Sequence, residues 1–242
     1  MHGGMGGLMN TKTYPIKEIF RSIQGEGPSV GFDAVFVRFS GCNLNCKFCD
    51  ENKPGEIALW TSGQDIVDLV DDMFEGCPDG ARVILTGGEP LLWLDEPLLD
   101  LLLSTRYTLC IETNGAQDTE DKLKVPISSL LSVPEVVISP KEVDTSLALV
   151  KVATCIKVLV DDSGPVNQVQ LDEIAANVSA SRPPSKQSGT RILQPVTEQG
   201  PGQQSILQRR AQIAVTIAQK RALSNGEHWR IIPQTHVWMN LK

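Results

Sequence analysis

Three of the chain's six cysteines fall within one short stretch, "GCNLNCKFCD", where Cys42, Cys46 and Cys49 are spaced C-x3-C-x2-C. Thiols crowded in this way bind metal or do redox chemistry. A structural zinc site takes four protein ligands, often as two C-x2-C pairs, and here Cys77, Cys110 and Cys155 stand singly, with His2, His228 and His236 distant in sequence. Disulfides do not persist in a reducing cytosol. An iron–sulfur cluster remains. Four thiolates saturate a [4Fe–4S] cluster, as in an electron carrier, whereas three leave one iron open to an outside ligand. An open coordination position is a catalytic rather than a structural device. Cys110 and Cys155 lie in apolar runs and read as small core residues.

The other polar and Gly-rich motifs end short β-rich runs: "AVFVRFSG" (34–41) leads into the cysteines, "ARVILTGG" (81–88) into Glu89-Pro90, then "TLCIETNG" (108–115), "EVVISPK" (135–141), "CIKVLVDD" (155–162), "RILQPV" (191–196) and "HWRIIPQTH" (228–236). Near-continuous Val/Ile/Leu runs are expected of strands buried on both faces of a parallel sheet. Helical patterns separate them. Residues 63–74 place Ile66, Leu69, Val70 and Met73 on one stripe, 95–105 reads as a second helix, and 202–226 aligns Ile206, Ile213 and Ile217 before an Asn225-Gly226 stop. The alternation predicts an α/β fold of βα units whose site lies at the carboxyl ends of the strands. One domain is expected over 13–242, with 1–12 a flexible Gly-rich tail and "SRPPSKQSG" (181–189) an internal loop.

Composition bounds the function. With 22 basic and 29 acidic residues the net charge is −7, which disfavours nucleic acid and anionic membranes as partners. No run approaches the ~18 apolar residues of a membrane span, and "MHGGMGGLMN" has no secretory pattern. The cytosol is the expected compartment.

On these residues the chain resembles radical S-adenosylmethionine (SAM) enzymes. C-x3-C-x2-C after the first of these runs, with aromatic Phe48 before the last cysteine, is their signature, and "TGGEP" (86–90) matches the turn that meets the methionine part of SAM. The resemblance implies a partial (βα) parallel barrel in which the open iron chelates SAM and reduction releases a 5′-deoxyadenosyl radical. A finer resemblance, from about Tyr14 to Lys242, is to the 7-carboxy-7-deazaguanine synthases of queuosine biosynthesis. It is carried by "PIKEIFRSIQGEG" (15–27), "VFVRFSGCNLNCKFCD" (35–50), "VILTGGEPLL" (83–92), "CIETNG" (110–115), "VISPK" (137–141), "IKVLVDD" (156–162), "LQPV" (193–196) and "WRIIPQTHVWMNLK" (229–242). That family converts 6-carboxy-5,6,7,8-tetrahydropterin to 7-carboxy-7-deazaguanine with loss of ammonia. A glycyl-radical activating enzyme shares the cysteine spacing but usually lacks "SIQGEG" and "QTH".

The resemblance implies that Cys42, Cys46 and Cys49 hold the cluster. It implies that SAM meets Phe48, Cys49, Asp50, Gly88 and Glu89, then Ser139, Pro140, Lys141, Gln194 and Pro195, while Glu112, a carboxylate ending a buried strand, is a SAM or a substrate contact. For the substrate it implies Ile23, Gln24, Gly25, Glu26, Arg38, Thr86, Gln234, His236 and Lys242. No side chain is assigned as a catalyst, because the radical comes from SAM. Arg38, a charge in an apolar run, can bind a carboxylate bidentately or sit in an ion pair. Lys157 in "IKVLV" is an ion-pair partner or a site residue, and His236 a substrate contact or a structural histidine. Many members have "CD(T/S)", whose hydroxyl ligates Mg²⁺; here Glu51 stands in that place, and its carboxylate either ligates magnesium directly, ligates it through water, or points away with the metal lost. A homodimer and a flavodoxin-like reductant are the implied partners.

Overall fold

The structure is a computed structural model that describes residues 12–47, 49, 56–57, 59–75, 80–166, 168, 170–178, 189–197 and 203–239. The strands are β1 (Thr13–Ile23), β2 (Asp33–Phe39), β3 (Leu59–Ser62), β4 (Arg82–Gly87), β5 (Thr108–Thr113), β6 (Glu135–Ile138), β7 (Cys155–Asp161), β8 (Gly164–Pro165), β9 (Thr190–Pro195) and β10 (Arg230–Ile231). The helices are α1 (Gly63–Met73), α2 (Glu96–Leu103), α3 (Gln117–Glu120), α4 (Leu147–Val152), α5 (Leu171–Asn177), α6 (Gln203–Asn225) and α7 (Thr235–Trp238). All strands join one sheet in the order β10-β9-β7-β6-β5-β4-β2-β1-β3, with β8 on β7. Every neighbouring pair from β2 to β10 on that path is parallel. β1 runs antiparallel to β2 and β3. Because the path ends at β10 and β3, the sheet is an open, partial barrel.

Two apolar layers hold it. On the outside Val35, Val37, Val83, Leu85, Leu109 and Ile111 pack with Ile66, Val70, Leu98 and Leu102 of α1 and α2. On the inside Ala34, Ile84, Cys110, Val137, Cys155 and Ile192 close the lower part of the barrel with Ile232. Each fully buried Leu or Ile contributes roughly 1.5–3 kcal/mol. Caps fix where the helices start: Ser62 Oγ accepts from the Asp65 N–H at 3.1 Å, and Asp95 Oδ1 from the Leu98 N–H at 3.1 Å.

Side chains alternate across a strand, so each inward-facing row can be read off by twos. Phe36 is followed by Arg38, Ile84 by Thr86, Cys110 by Glu112, Val137 by Ser139, Cys155 by Lys157 and Ile192 by Gln194. Each row turns from apolar to polar toward the carboxyl end, so the lower layer is core and the upper layer is a polar floor.

The apolar runs expected as strands are strands. Some details differ. The sequence reading has no strand at Thr13–Ile23, where "TYPIKEIFRSI" mixes polar and apolar residues as an antiparallel strand covered on one face does. The run 228–236 yields only Arg230–Ile231; Pro233 has no N–H for a ladder, and Thr235 opens α7. In α1 the buried stripe is Ile66, Val67 and Val70, while Leu69 is 38% exposed, because Val67 and Leu69 point to opposite sides of the helix. In α6 the buried stripe is Leu207, Arg210 and Ala214, with Ile213 and Ile217 packed at its side. The tail through residue 11, Cys77 and the loop up to residue 188 lie outside the described residues.

Candidate active site

The polar ends of β2, β4, β5, β6, β7 and β9 face one cavity. The loop after β1 and the segment before α7 close one side of it. There the Thr235 N–H and Oγ–H both donate to the Gly25 carbonyl at 3.0 Å, and Gln234 Nε2 donates to Glu26 Oε1 at 2.6 Å. A Cβ on Gly25 would overlap the His236 side chain, so "QGEG" and "QTH" fit only with glycine there. Chain ends far apart in sequence thus bridge the side on which the barrel is open.

Cys42, Cys46 and Cys49 all line this cavity. Burial pushes the Cys42 and Cys46 thiols up; the Leu44 N–H, 3.4 Å from Cys42 Sγ, and the Lys141 ammonium near Cys46 oppose this. Cys42 lies near enough to Cys46 and Cys49 that their charge also raises it. Among the described residues, no three His, Cys, Asp or Glu side chains surround a single ion. A cubane spreads its thiolates over separate irons, so three free thiols on one cavity wall suit it.

The cysteine loop is fastened to the "TGGEP" turn through backbone. The Gly88 N–H donates to the Phe39 carbonyl at 3.0 Å and the Glu89 N–H to the Gly41 carbonyl at 2.9 Å. A Cβ on Gly88 would lie 1.9 Å from the Gly41 oxygen. Glu89 sits behind the wall, fully buried. Its carboxylate accepts from Thr113 Oγ1 at 2.7 Å, the Asn114 N–H at 2.8 Å and the Leu91 N–H at 3.1 Å. Burial nevertheless pushes its carboxyl up to about 7. Asn114 Nδ2 then donates to Asn43 Oδ1 at 3.0 Å, inside the cysteine loop. Two neighbouring strand ends thus hold the loop that carries the thiols.

Opposite lies a buried ionic cluster. Lys157 on β7 pairs with Glu26 and stands 4.0 Å from Glu112 Oε1. Glu112 also accepts from Gln24 Nε2 at 3.0 Å and from Thr86 Oγ1 at 3.3 Å. Arg38 is in an ion pair and also lines the cavity. Its Nε is 3.0 Å from Glu18 Oε1 on the paired strand, its guanidinium lies 5.8 Å from the Phe20 ring centre, and it lines the cavity.

Of the residues singled out in the sequence, the cavity gathers Ile23, Gln24, Gly25, Glu26, Arg38, Thr86, Gly88 and Glu112 with the cysteines. Ser139, Lys141, Gln194, Gln234 and His236 line it too, with Lys141 Nζ donating to Ser139 Oγ at 2.9 Å. Glu89, Pro140 and Pro195 are not on its wall; the two prolines stand beside wall residues at strand ends. Phe48, Asp50, Glu51 and Lys242 lie outside the described residues. The sequence reading does not assign Lys157, Leu159, Phe20 or Phe36 to the wall. Their signal is the alternation above: Phe36 and Leu159 share the inward row with Arg38 and Lys157.

Residues 36–150 match the Radical SAM superfamily. Over 159 residues, 57% of this chain and 68% of the relative, the chain is 37% identical to the 7-carboxy-7-deazaguanine synthase of Burkholderia multivorans. The chain belongs to the 7-carboxy-7-deazaguanine synthase family. It is also 44% identical over 108 residues to the 7-carboxy-7-deazaguanine synthase of Bacteroides thetaiotaomicron, matching 45% of this chain and spanning little more than half, 56%, of that relative's length. In fold it is similar to the crystal structure of QueE from Escherichia coli, with TM-score 0.61 and 24% identity, covering 90% of this chain and 93% of that one. Membership of this radical SAM family implies a [4Fe–4S] cluster and SAM, and the three thiols on one wall fit that cluster. Among the described residues, no helix is long and apolar enough to cross a membrane.

Proposed function

We propose that this chain is a carbon–nitrogen lyase that converts 6-carboxy-5,6,7,8-tetrahydropterin to 7-carboxy-7-deazaguanine with loss of ammonia. The supporting observation is that the cysteine triplet and a wall of carboxylates, amides and one arginine face the same cavity. The substrate carries an anionic carboxylate at one end and N–H donors on its pyrimidine ring at the other. Arg38 matches the first; Glu112 with Gln24 and Thr86 matches the second. No acid or base side chain breaks an unactivated C–H bond at neutral pH; bound at the cluster, SAM supplies the radical that does. What this chain adds is orientation, charge and exclusion of water.

Cys42, Cys46 and Cys49 would hold the cluster. Gly88, Ser139, Lys141 and Gln194 would line the SAM side, with Phe48, Asp50, Pro140 and Pro195 beside them, and Glu89 would act from behind the wall. Ile23, Gly25, Glu26, Thr86, Gln234, His236 and Lys242 would surround the pterin. Glu51 would take the place of the hydroxyl that ligates Mg²⁺ in many members. A homodimer, a flavodoxin-like electron donor and a cytoplasmic setting complete the proposal.

The test is turnover by anaerobically reconstituted protein with SAM, a reductant and carboxytetrahydropterin, with and without Mg²⁺, for wild type and Glu51→Thr. The proposal expects 7-carboxy-7-deazaguanine and ammonia in equal amounts. Deoxyadenosine release without that product would assign the chain another substrate.

A further inference from the structure

Lys157 sits in the middle of β7, its side chain 7% exposed between Ile156 and Val158. A lone ammonium there is costly, and it is matched by two carboxylates rather than one. Glu26 is the more enclosed, its side chain 11% exposed against 18% for Glu112. Each oxygen of Glu26 accepts one short, direct bond, one from Lys157 and the other from Gln234 Nε2 at 2.6 Å. Glu112 has a 3.0 Å bond from Gln24, a weaker one of 3.3 Å from Thr86 and Lys157 only at 4.0 Å.

We propose that Lys157 is a positioning residue: it holds Glu26 in an ion pair that Gln234 ties to the segment before α7, and so leaves Glu112 as the carboxylate that receives the N–H donors of the bound heterocycle. The assignment rests on the pterin substrate proposed above and deepens it. It divides two carboxylates of like chemistry into a scaffold member and a ligand-facing member, as environments do when they drive paired acids apart. The electrostatics agree. Burial would push Glu26 up, but the ammonium, with Gln234, overrides it and holds Glu26 below the usual range. Burial pushes Glu112 up, Glu26 adds to this, and Lys157 and Gln24 offset it only in part. The other titratable groups facing the cluster are Glu135 on β6, Cys110, Cys155 and His236. Glu135 is engaged by Ser29 Oγ at 2.6 Å and by Cys110 Sγ at 3.2 Å.

The experiment is equilibrium dialysis of 6-carboxypterin against the reconstituted holoenzyme with SAM, without reductant, from pH 5.5 to 8.5. The ligand's own titration is common to every variant. In Lys157→Met two buried carboxylates face each other without a cation and share a proton near neutrality. Affinity at pH 7 is expected to fall about tenfold or more, with recovery as pH rises. Lys157→Met/Glu26→Gln removes the competing charge and is expected to regain most of the affinity and the wild-type pH profile. Should Lys157→Met not fold, as judged by cluster content, Glu26→Gln serves alone: its profile moves to lower pH than that of wild type because Lys157 then serves Glu112. A Lys157→Met profile like that of wild type, a double variant no better than the single one, or a Glu26→Gln profile that does not move to lower pH would each overturn the assignment. A wild type that does not bind 6-carboxypterin would instead overturn the proposed substrate.

Discussion

Replacing Gly88 by Ala puts a methyl group into the backbone that carries the cysteine loop. The new Cβ would lie 1.9 Å from the Gly41 oxygen and 3.1 Å from the Cys42 nitrogen, and these are main-chain atoms that no rotamer change can move aside. To reach a tolerable contact the two segments must part by about 1 Å or more. That separation lengthens the Gly88–Phe39 and Glu89–Gly41 hydrogen bonds, now 3.0 and 2.9 Å. Overpacking costs typically about 1–3 kcal/mol and each of the two lost bonds about 0.5–1.5 kcal/mol, so the change should cost roughly 2–6 kcal/mol. In a chain of this length that lowers Tm by roughly 4–24 °C. Because the displaced atoms lead directly into Cys42, iron uptake should suffer as well. The assay is calorimetry of the apo protein beside iron and sulfide content after anaerobic reconstitution. A Gly88→Ala protein with wild-type Tm and wild-type iron content would refute the claim that this turn fastens the loop.

Alanine at Cys42, Cys46 or Cys49 should abolish the visible absorption of the reconstituted cluster. Cys155→Ala, which removes a buried core thiol on β7, should leave iron content unchanged and cost about 1 kcal/mol in denaturant unfolding. Gly25→Ala should weaken 6-carboxypterin binding without changing iron content, because the three atoms nearest its Cβ all belong to the His236 side chain at the cavity wall. Glu89 gives a pH dependence. Its folded carboxyl is near 7 and its reference value is 4.5, so the folded protein keeps a proton that the unfolded chain has released. Its contribution is present below about pH 4.5 and is lost as pH rises through about 7, on the order of 3 kcal/mol. The apo Tm of Glu89→Gln should therefore fall less steeply than that of wild type across this window; parallel slopes would contradict the buried, proton-holding carboxyl.

Much of this architecture is legible in the chain because the parallel strands are continuous apolar runs, and burial on both faces leaves them no other composition. β1 escapes such a reading, since its antiparallel pairing covers it unevenly and its polar residues interrupt the run. The cysteines, Arg38 and Glu112 announce themselves as chemistry out of place in apolar surroundings. Lys157 does so too, but its role depends on Glu26 and Glu112, which come from a loop and a strand distant in sequence. Glu89 shows the opposite limit. A motif residue named for a cofactor contact spends its oxygens on Thr113, Asn114 and Leu91, which only the fold brings beside it. Gly25 and His236 are readable only together, as one side chain filling the space that one glycine leaves.

With only the three thiols of Cys42, Cys46 and Cys49, the implied cluster keeps one iron for an outside ligand. Mössbauer or electron–nuclear double resonance spectra of the anaerobic cluster, taken before and after addition of SAM labelled in its amino and carboxylate groups, test it most directly. One iron site is expected to differ in signal from the other three and to couple to the label once SAM is added. A cluster whose spectrum is indifferent to SAM, or protein that takes up zinc and no iron, would contradict it.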